Sequence, residues 1–414
     1  MDNDVIVIGA GISGLAFAWK AAKAGRRVAL LEARPEVGGC IRSQREPDGF
    51  WFELGAHTVY NSYGGLVDLI ADAGLTERVV QRALARKHFG LLRAGEYRWL
   101  TPPKVLLKLN WLTAAGRFPW NVFRSKEGVS VRTHFSRLLG KGNYDKVLAP
   151  FLAAVPSQVA DDFPVAGPGS LFKKRPRRED FVRSFGFAGG LQTVCDEVAK
   201  TPGVTVETRV AVTRVARAGD RLQVDTADGR RLQAATVAVA VPPDRAAAMM
   251  RDAWPELAAV LARIAWVEVE SLGVVLPKDK CWMPECAFLV PVDDVFFSMV
   301  TRDPFPDPDR RAFVFHFRPG VAREDKVKRM AEVLRIEGAE LGGLYPLHEQ
   351  RISVPSPRVG HGEVVQAIDH SLQALGDAGG GLAVTGNYFG GLAIEDCIQR
   401  SFAEWERVAP SGSV

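Results

Sequence analysis

Apolar and polar segments at the beginning of the chain follow one another in the order strand, turn, helix and strand. Positions 5–8 are all apolar, three glycines fall within 9–14, and a run of mostly small residues follows. A second apolar run begins at Val28 and ends at Glu32. Short apolar runs bounded by glycine turns are typical of buried strands in a parallel sheet. The pattern therefore predicts a βαβ unit at the start of the fold.

Later segments predict a second sheet and several helices. A hairpin is expected at 89–93 and 97–100, with Gly95 in its turn. Further strands are expected at 204–215, 221–226, 236–241, 263–276, 288–290, 296–301 and 312–317. Helical periodicity is present at 105–123, 131–155 and 326–341. This mixture predicts an α/β protein, α+β overall, in which the separated alternating segments form an antiparallel sheet.

The glycines of the first turn have separate roles in dinucleotide binding. Gly9 makes the tight turn, Gly11 lets the backbone approach a pyrophosphate, and Gly14 lets the helix pack close to the strand. The free N–H groups at the helix start, near Ile12 and Ser13, face the phosphates. The stretch therefore predicts a nucleotide cofactor, and an accidental glycine turn is the less favoured alternative.

The residues after the second strand favour FAD over NAD. Glu32 stands about 20 residues after the glycine turn, where an acid accepts from a ribose hydroxyl and repels the 2′-phosphate of NADP. Glu32 is followed closely by Arg34, the double glycine 38–39 and the Arg-Ser pair 42–43. This continuation resembles the second glycine motif of glutathione-reductase-type flavoproteins, which include amine oxidases, phytoene desaturases and protoporphyrinogen oxidases. The resemblance implies that the ADP half of FAD lies on this unit.

Residues 382–398 again have the order strand, glycine loop and helix start. N–H groups at Leu392, Ala393 and Ile394 suit the pyrimidine end of a flavin, where negative charge builds on reduction. The stretch resembles the tails of protoporphyrinogen oxidases, which run Gly-Asn, then Gly, then Asp-Cys-Ile. In those relatives the flavin is noncovalent, so Cys397 is interpreted as a packed core residue.

The same resemblance implies the domain organisation. It places a discontinuous FAD-binding Rossmann domain at 1–80, 186–262 and 360–414, and a substrate domain of antiparallel sheet plus helices at 81–185 and 263–359. A helical lid is expected within 81–185. The predicted cofactor-binding residues are Gly9, Gly11, Ile12, Ser13, Gly14, Glu32, Ala33, Gly39, Arg42, Gly55, Ala56, Val212, Gly386, Leu392, Ala393 and Ile394.

The region that meets the substrate departs most from protoporphyrinogen oxidases. No residue cleanly matches the arginine that meets a propionate in that family, so Arg98, and after it Lys87, are the candidates for an anionic group. An exposed charge on an edge strand is an equally good interpretation of each. His57 either contacts the flavin ring or caps a turn, and Tyr388 is a further candidate for substrate contact. No catalytic base is identified.

Composition and charge limit the classes of molecule that the protein is expected to bind. The net charge of +5 suits an anionic substrate or an anionic membrane surface. The basic run 173–178 has no interleaved aromatic residues, so nucleic acid is not predicted, and a solvated loop is favoured over a site for a polyanion. Five scattered cysteines favour a reducing cytoplasm, and Cys281 and Cys286 lack the partners of a zinc site.

The location is expected to be cytoplasmic, because the first strand begins within five residues and no apolar run is long enough to span a membrane. Residues 104–124 carry aromatic and basic residues beside an apolar body. A lid or ordinary core is favoured there over peripheral contact with the inner face of the membrane. The chain is equally compatible with a monomer and a homodimer.

The sequence thus predicts an FAD-dependent oxidase or dehydrogenase that desaturates an apolar or tetrapyrrole-like small molecule by hydride transfer to flavin N5, resembling protoporphyrinogen oxidase. An amine oxidase or a specialised-metabolite oxidase is a second hypothesis. A non-redox flavoprotein, such as a mutase or isomerase, is a third, and a binding protein that has lost catalysis is a fourth. The substrate and the electron acceptor stay open.

Overall fold

The computed structural model describes residues 3–55, 58–83, 88–101, 104–105, 107–375 and 381–409. The main helices are α1 Ile12–Lys23, α2 Gly64–Asp72, α3 Trp111–Asn121, α4 Val131–Leu139, α5 Ala149–Ala154, α6 Gln192–Val198, α7 Pro243–Met250, α8 Pro255–Leu261, α9 Arg323–Leu334, α10 His361–Ala374 and α11 Ile394–Val408. Strands in the first half of the chain are β1 Val5–Ile8, β2 Val28–Glu32, β3 Ser43–Arg45, β4 Trp51–Glu53, β5 Val59–Tyr60, β6 Val79–Gln81, β7 Phe89–Arg93, β8 Glu96–Leu100, β9 Ser184–Phe187 and β10 Val204–Thr208. The remaining strands are β11 Val212–Ala218, β12 Arg221–Thr226, β13 Arg231–Ala234, β14 Thr236–Val239, β15 Trp266–Pro277, β16 Phe288–Val292, β17 Phe296–Thr301, β18 Arg310–Phe317, β19 Leu347–Pro355 and β20 Gly381–Val384.

A five-stranded parallel sheet forms the first layer, in the order β10-β2-β1-β14-β20. Every residue of β1 and β2 is buried, which explains why these strands are continuous apolar runs. Ile8 lies beside Leu31 and Val239, so the carboxyl ends of three neighbouring strands meet at one edge. The predicted βαβ unit is confirmed.

Helices from both ends of the chain pack together on one face of this sheet. The side chain of Ser401 in α11 donates a hydrogen bond of 2.8 Å to the carbonyl of Ser13 in α1. Phe17 and Trp405 meet edge to face, with ring centroids 5.7 Å apart. The first and last helices of the fold are therefore held as one unit.

A seven-stranded sheet forms the second layer, in the order β19-β15-β18-β17-β16-β7-β8. Its neighbours are antiparallel except β16 and β7, which are parallel with Phe288 beside Phe89. The expected hairpin of β7 and β8 is confirmed, whereas the expectation of an entirely antiparallel sheet is wrong at this one pair. A parallel neighbour requires a long connection, and almost 200 residues separate the two strands in the sequence.

The two faces of the second sheet have different neighbours. On one face, Leu272, Phe313 and Phe315 pack with Met330 of α9. On the other face, a side chain at Gly273 would collide with Phe52 and Leu54, so the backbone of β15 lies directly against the strand β4 region. This second face is the one turned toward the nucleotide-binding layer.

Several predicted elements have different bounds in the structure. The helix expected at 131–155 is interrupted at Gly140, whose φ of +94° is unsuited to a helix, and a π-helical turn at Tyr144–Leu148 follows. The helix expected to reach residue 341 ends at Leu334, because Arg335 is left-handed. The strand expected at 204–215 is divided into β10 and β11 around Arg209, which has a φ of +61°.

None of the helices in the described part of the chain has the length and apolarity required to cross a bilayer.

Candidate flavin site

The first glycine turn leaves open space at one glycine only. A Cβ atom on Gly9 would lie 2.5 Å from the carbonyl oxygen of Ala240, and one on Gly14 would collide with the carbonyl of Gly9. A Cβ atom on Gly11 would meet only the Cα atom of Gly39, at an ordinary 3.8 Å. The fold itself thus requires glycine at two positions, whereas the glycine at position 11 leaves room for a group outside the chain.

A second glycine turn lies directly against the first. The N–H of Gly38 donates to the carbonyl of Ala10 at 2.7 Å, and Gly11 and Gly38 form a parallel bridge. Arg34 donates to the carbonyl of Gly39 at 3.2 Å. Backbone without side chains therefore borders the opening at Gly11 from both turns, which suits close approach of a pyrophosphate.

The start of α1 is free to bind an anion. Among the described residues, no side chain caps this helix, and its first turn contains no acid. N–H groups in the first turn of a helix lack intrahelical acceptors, and the helix dipole adds partial positive charge there. Ile12 and Ser13 supply these groups beside Gly11, as the sequence predicts.

Glu32 is held in one orientation at the end of β2. Its side chain is 9% exposed, one carboxylate oxygen accepts from the N–H of Ala10 at 2.7 Å, and the other accepts from the N–H of Arg34 at 2.9 Å. Each carboxylate oxygen can accept a second hydrogen bond. Glu32 can therefore fix the glycine turn and still accept from a ribose hydroxyl.

The start of α11 is a second helix end without a side-chain cap from the described residues. The acids of its first turn are engaged elsewhere. Glu395 accepts from the N–H groups of Gly65 and Leu66 at 2.9 and 3.2 Å, and Asp396 pairs with Arg175 at 2.8 Å. Among the described residues no side chain accepts from the start of α11, so the N–H groups of Leu392, Ala393 and Ile394 are available for a ligand.

The other predicted cofactor residues are placed as follows. Ala33 and Arg42 are exposed and follow the ends of β2 and the second glycine turn, and Val212 begins β11. Gly55 packs on the carbonyl of Cys40, and Gly386 lies against the ring of Tyr388. Ala56, His57 and Lys87 lie outside the described residues.

Tyr388 lies in the core. It is 1% exposed, belongs to the cluster between the parallel sheet and α10, and burial raises the pKa of its phenol well above the usual range. Its carbonyl is bonded to His361, while its hydroxyl has no hydrogen-bond partner in the described parts of the chain. Burial among the described residues therefore gives Tyr388 a packing role in this cluster.

Arg98 lies on the outermost strand of the second sheet. It pairs with Glu96 at 3.1 Å and is more than half exposed. Six strand spacings of about 4.8 Å separate its strand, β8, from β19, which places Arg98 roughly 29 Å from Gln350. Gln350 is the side chain that approaches Gly55 at the predicted flavin turn.

A row of buried polar side chains was not identified from the sequence. Pairing across the second sheet aligns Gln350, Ser271, His316 and Ser298 on the face turned toward the nucleotide layer. All are at most 5% exposed, and Ser271 Oγ lies 2.8 Å from His316 Nδ1. The signal that could have found them is a single polar residue inside an apolar strand, as in Phe313–Phe317.

Two members of this row have unsatisfied polar atoms. Within the described ranges, both amide atoms of Gln350 and the hydroxyl of Ser298 have no hydrogen-bond partner. A buried polar atom without a partner costs free energy, typically 1–3 kcal/mol. Gln350 approaches Gly55, since a Cβ there would be 3.3 Å from its Oε1. A bound group at this turn would satisfy it.

The basic run 173–178 is not simply solvated. Lys173 and Arg175 pair with Asp396 at the start of α11, at 3.3 and 2.8 Å, and Arg178 pairs with Asp68 and Asp180. The expected solvated loop is therefore wrong for these three cations, which instead fix the loop to the nucleotide-binding layer. Cys397 is 4% exposed within α11, which confirms its interpretation as a packed residue.

Comparison of the amino-acid sequence with known proteins identifies a family and relatives of this chain. Residues 12–274 match the family of flavin containing amine oxidoreductases. A 15-cis-phytoene desaturase of Narcissus pseudonarcissus is 30% identical over 125 residues, which are 30% of this chain and 21% of the relative. A mitochondrial protoporphyrinogen oxidase of Nicotiana tabacum is 29% identical over 238 residues, which cover 47% of each protein. The chain thus spans less than half the length of these curated relatives.

The fold is shared over the whole chain with solved structures. A proposed protoporphyrinogen oxidase from Exiguobacterium sp. 255-15 superposes with a TM-score of 0.78 at 19% identity, and the match covers 99% of both chains. This likeness confirms the predicted combination of a nucleotide-binding α/β layer with a second, mixed sheet.

Proposed function

Because the chain belongs to the family of flavin-containing amine oxidoreductases, we propose that it is an FAD-dependent oxidase or dehydrogenase. The observation that carries the proposal is the pair of helix starts, α1 and α11, which no described side chain caps and which belong to helices joined by Ser401 and Ser13. Two such helix starts suit a cofactor that carries a pyrophosphate in its middle and, at one end, a ring that becomes negative on reduction. The start of α1 adjoins Gly11, the one glycine of the first turn whose space the fold leaves open.

The chain's own residues would hold the cofactor and keep water away. The turns at Gly11 and Gly39 and the start of α1 would bind the pyrophosphate, and Glu32 would accept from the ribose. The start of α11 would donate to the flavin pyrimidine. Bound flavin supplies the acceptor for a hydride. The amide of Gln350 on the second sheet would orient a group bound near the Gly55 turn.

We propose an apolar or tetrapyrrole-like small molecule as the substrate. The relatives named above are a phytoene desaturase and protoporphyrinogen oxidases. At strands β16 and β7 the same face of the second sheet is apolar, with Phe288 stacked on Phe89 at 5.2 Å and Phe89 against Phe151. Such a surface suits a substrate held mainly by burial of apolar area.

The test is anaerobic reduction of the bound flavin by a panel of substrates. Loss of oxidised-flavin absorbance is expected with protoporphyrinogen or with a polyene precursor and not with simple amines. Bleaching by amines alone would instead indicate an amine oxidase. Activity that requires prior reduction would indicate a mutase or isomerase. A protein that stays colourless after addition of FAD would overturn the proposal.

We also propose that the segment 104–124 makes peripheral contact with an anionic membrane. Six large apolar side chains are exposed there: Leu107, Trp111, Leu112, Phe118, Trp120 and Phe123. Basic residues accompany them at Lys104, Lys108, Arg117 and Arg124. Exposed apolar patches of this extent on a folded protein mark interaction sites, and the positive rim suits anionic lipid head groups. An apolar substrate would be reached through the same surface.

A further inference from the structure

A second cavity lies at the edge of the seven-stranded sheet, distant from the glycine turns. It has a volume of about 420 Å³, within the range of small-molecule sites. The hairpin of β7 and β8 forms one wall, and the other wall is formed by Val105, Lys108, Lys146, Val147 and Phe151. Its floor is apolar and consists of Leu91, Leu100, Val105, Val147 and Phe151.

Cations surround this apolar floor on both walls. Arg93 and Arg98 come from the hairpin, and Lys108 and Lys146 come from the opposite wall. Glu96 is the single acid among the described residues that line the cavity. Glu96 pairs with Arg98 at 3.1 Å, and none of the other three cations has an ion pair within the described ranges. Four positive charges against one negative charge leave the cavity strongly positive, which favours an anion.

We propose that this cavity binds the acidic group of an amphiphilic molecule, whose apolar part lies against Leu91 and Phe151. Long-chain carboxylates have this combination of a compact charge and an apolar body. Lysine and arginine at the rim would form charge-assisted hydrogen bonds with the acid, while the floor excludes water from the chain. The cavity shares Phe151 with the apolar surface proposed above for the substrate, whereas its cations lie around the outer strand β8 and the opposite wall.

The position of the cavity supports access from an interface. Lys108 lines the cavity, and its neighbour Leu107 is 75% exposed at the start of the apolar segment described above. Arg98 lies roughly 29 Å from Gln350 by strand spacing, so the cavity and the predicted flavin turn are separate places on one sheet face. An amphiphile leaving a membrane surface would meet the cavity before it met the flavin cleft.

The test is equilibrium binding of cis-parinarate, a fluorescent long-chain carboxylate, to the flavin-loaded protein. Oleate is expected to displace the probe, oleyl alcohol is expected to do so at least tenfold more weakly, and acetate is expected not to do so. Equal displacement by oleate and oleyl alcohol would overturn the proposal, because it would show that the cations contribute nothing.

Two variants locate the binding in this cavity. Lys108→Gln combined with Lys146→Gln should weaken probe binding about tenfold, since each exposed charge contributes modestly and the two add. Lys174→Gln removes an exposed lysine outside the cavity and should leave binding unchanged. Unchanged binding in the double variant, with flavin content intact, would overturn the cavity as the site.

A displacement experiment with a short-chain phospholipid distinguishes a membrane lipid from a free carboxylate as the source of the acidic group. Diheptanoylphosphatidylglycerol below its micellar concentration should displace the probe if the acid comes from a membrane lipid, and should fail to displace it if the site takes a free carboxylate. Both results support an anionic amphiphile. Flavin bleaching by substrates is measured on the same samples, so that loss of this proposal and loss of the proposed oxidoreductase function give different results.

Discussion

Glu53 is a buried carboxyl group between the second glycine turn and the segment that leads into α6. It accepts a hydrogen bond from the hydroxyl of Ser43 at 2.6 Å and another from the N–H of Leu191 at 2.8 Å. Burial nevertheless raises its pKa to about 7, from an ordinary value of 4.5. The two hydrogen bonds and the nearby charge of Arg45 reduce this shift without cancelling it.

The raised pKa of Glu53 predicts a pH-dependent stability. Between pH 4.5 and about 7 the folded protein keeps the proton that the unfolded chain has lost, so the free energy of unfolding falls as the pH rises through this window. The maximum loss is about 3 kcal/mol, at 1.36 kcal/mol per pKa unit. Glu53→Gln keeps both hydrogen-bond partners without ionising, so its free energy of unfolding should not fall in that window.

Denaturant unfolding at pH 5 and pH 8 measures this difference. Glu77→Gln, at an exposed acid, is the control and should retain the slope of the unaltered protein. A Glu53→Gln variant that retained the same slope would assign the pH dependence to other groups.

Residue-scale predictions succeeded where the chemistry is local in sequence. The roles of Gly9 and Gly14 follow from a turn and a helix within ten residues, and the structure gives them those close contacts. Gln350 was missed because its position beside Gly55 depends on strand pairing across almost 300 residues. Tyr388 was expected near the substrate, and it is buried because the loop after β20 folds back into the core.

At the scale of elements, α3 is a helix with large apolar side chains that is mostly exposed. Of its residues only Ala114 is buried, while Trp120 is 81% exposed and Phe123, just beyond the helix, is 93% exposed. The exposed apolar side chains of α3 bury little area against the described residues, so they contribute little to folding stability. The helix is therefore free to contribute its apolar area to binding.

This exposure predicts the effect of Trp120→Ser combined with Phe123→Ser. Binding to vesicles that contain phosphatidylglycerol should weaken at least tenfold, because two large apolar side chains no longer leave water, while the melting temperature stays unchanged. Cosedimentation with vesicles measures the binding. Leu344→Ser, at a 67% exposed leucine elsewhere, is the matched control. A double variant that loses self-association and keeps vesicle binding would assign the surface to a second copy of the chain.

Elements with strong local signals were predicted well, and irregular ones were not. The hairpin of β7 and β8 was predicted because Gly95 and apolar alternation agree. The segment 131–155 was predicted as one helix because its periodicity continues past Gly140, and the break depends on the conformation of that one residue. The segment around α3 was expected to be a lid or core, since sequence periodicity does not show whether a partner covers an apolar face.

At the scale of the whole molecule, the predicted flavin site joins distant parts of the chain. One part lies within residues 9–39, and the other begins at Leu392 before α11, which is bonded to α1 through Ser401 and Ser13. The sequence predicts this arrangement because a glycine loop and a helix start occur at both ends. The sequence does not predict how the second sheet is aligned over the predicted flavin site, since register between distant strands is determined by packing of the complete fold.

The two helix starts, of α1 and α11, predict that FAD stabilises the protein more than NAD does. Both ligands carry an adenosine pyrophosphate for the first glycine turn, but only FAD has a flavin that reaches the start of α11. A ligand at about 100 times its Kd stabilises the folded state by about 2.7 kcal/mol, so saturating FAD should raise the melting temperature of flavin-stripped protein by several degrees. Equal concentrations of NAD should raise it much less.

Gly11→Ala should abolish the shift with FAD, because its Cβ fits the fold and occupies the pyrophosphate's place. Gly338→Ala, at a glycine with open space around it, should keep the shift. Equal shifts in melting temperature with FAD and NAD would mean that the start of α11 takes no part in binding and that only the first glycine turn and the start of α1 bind the ligand.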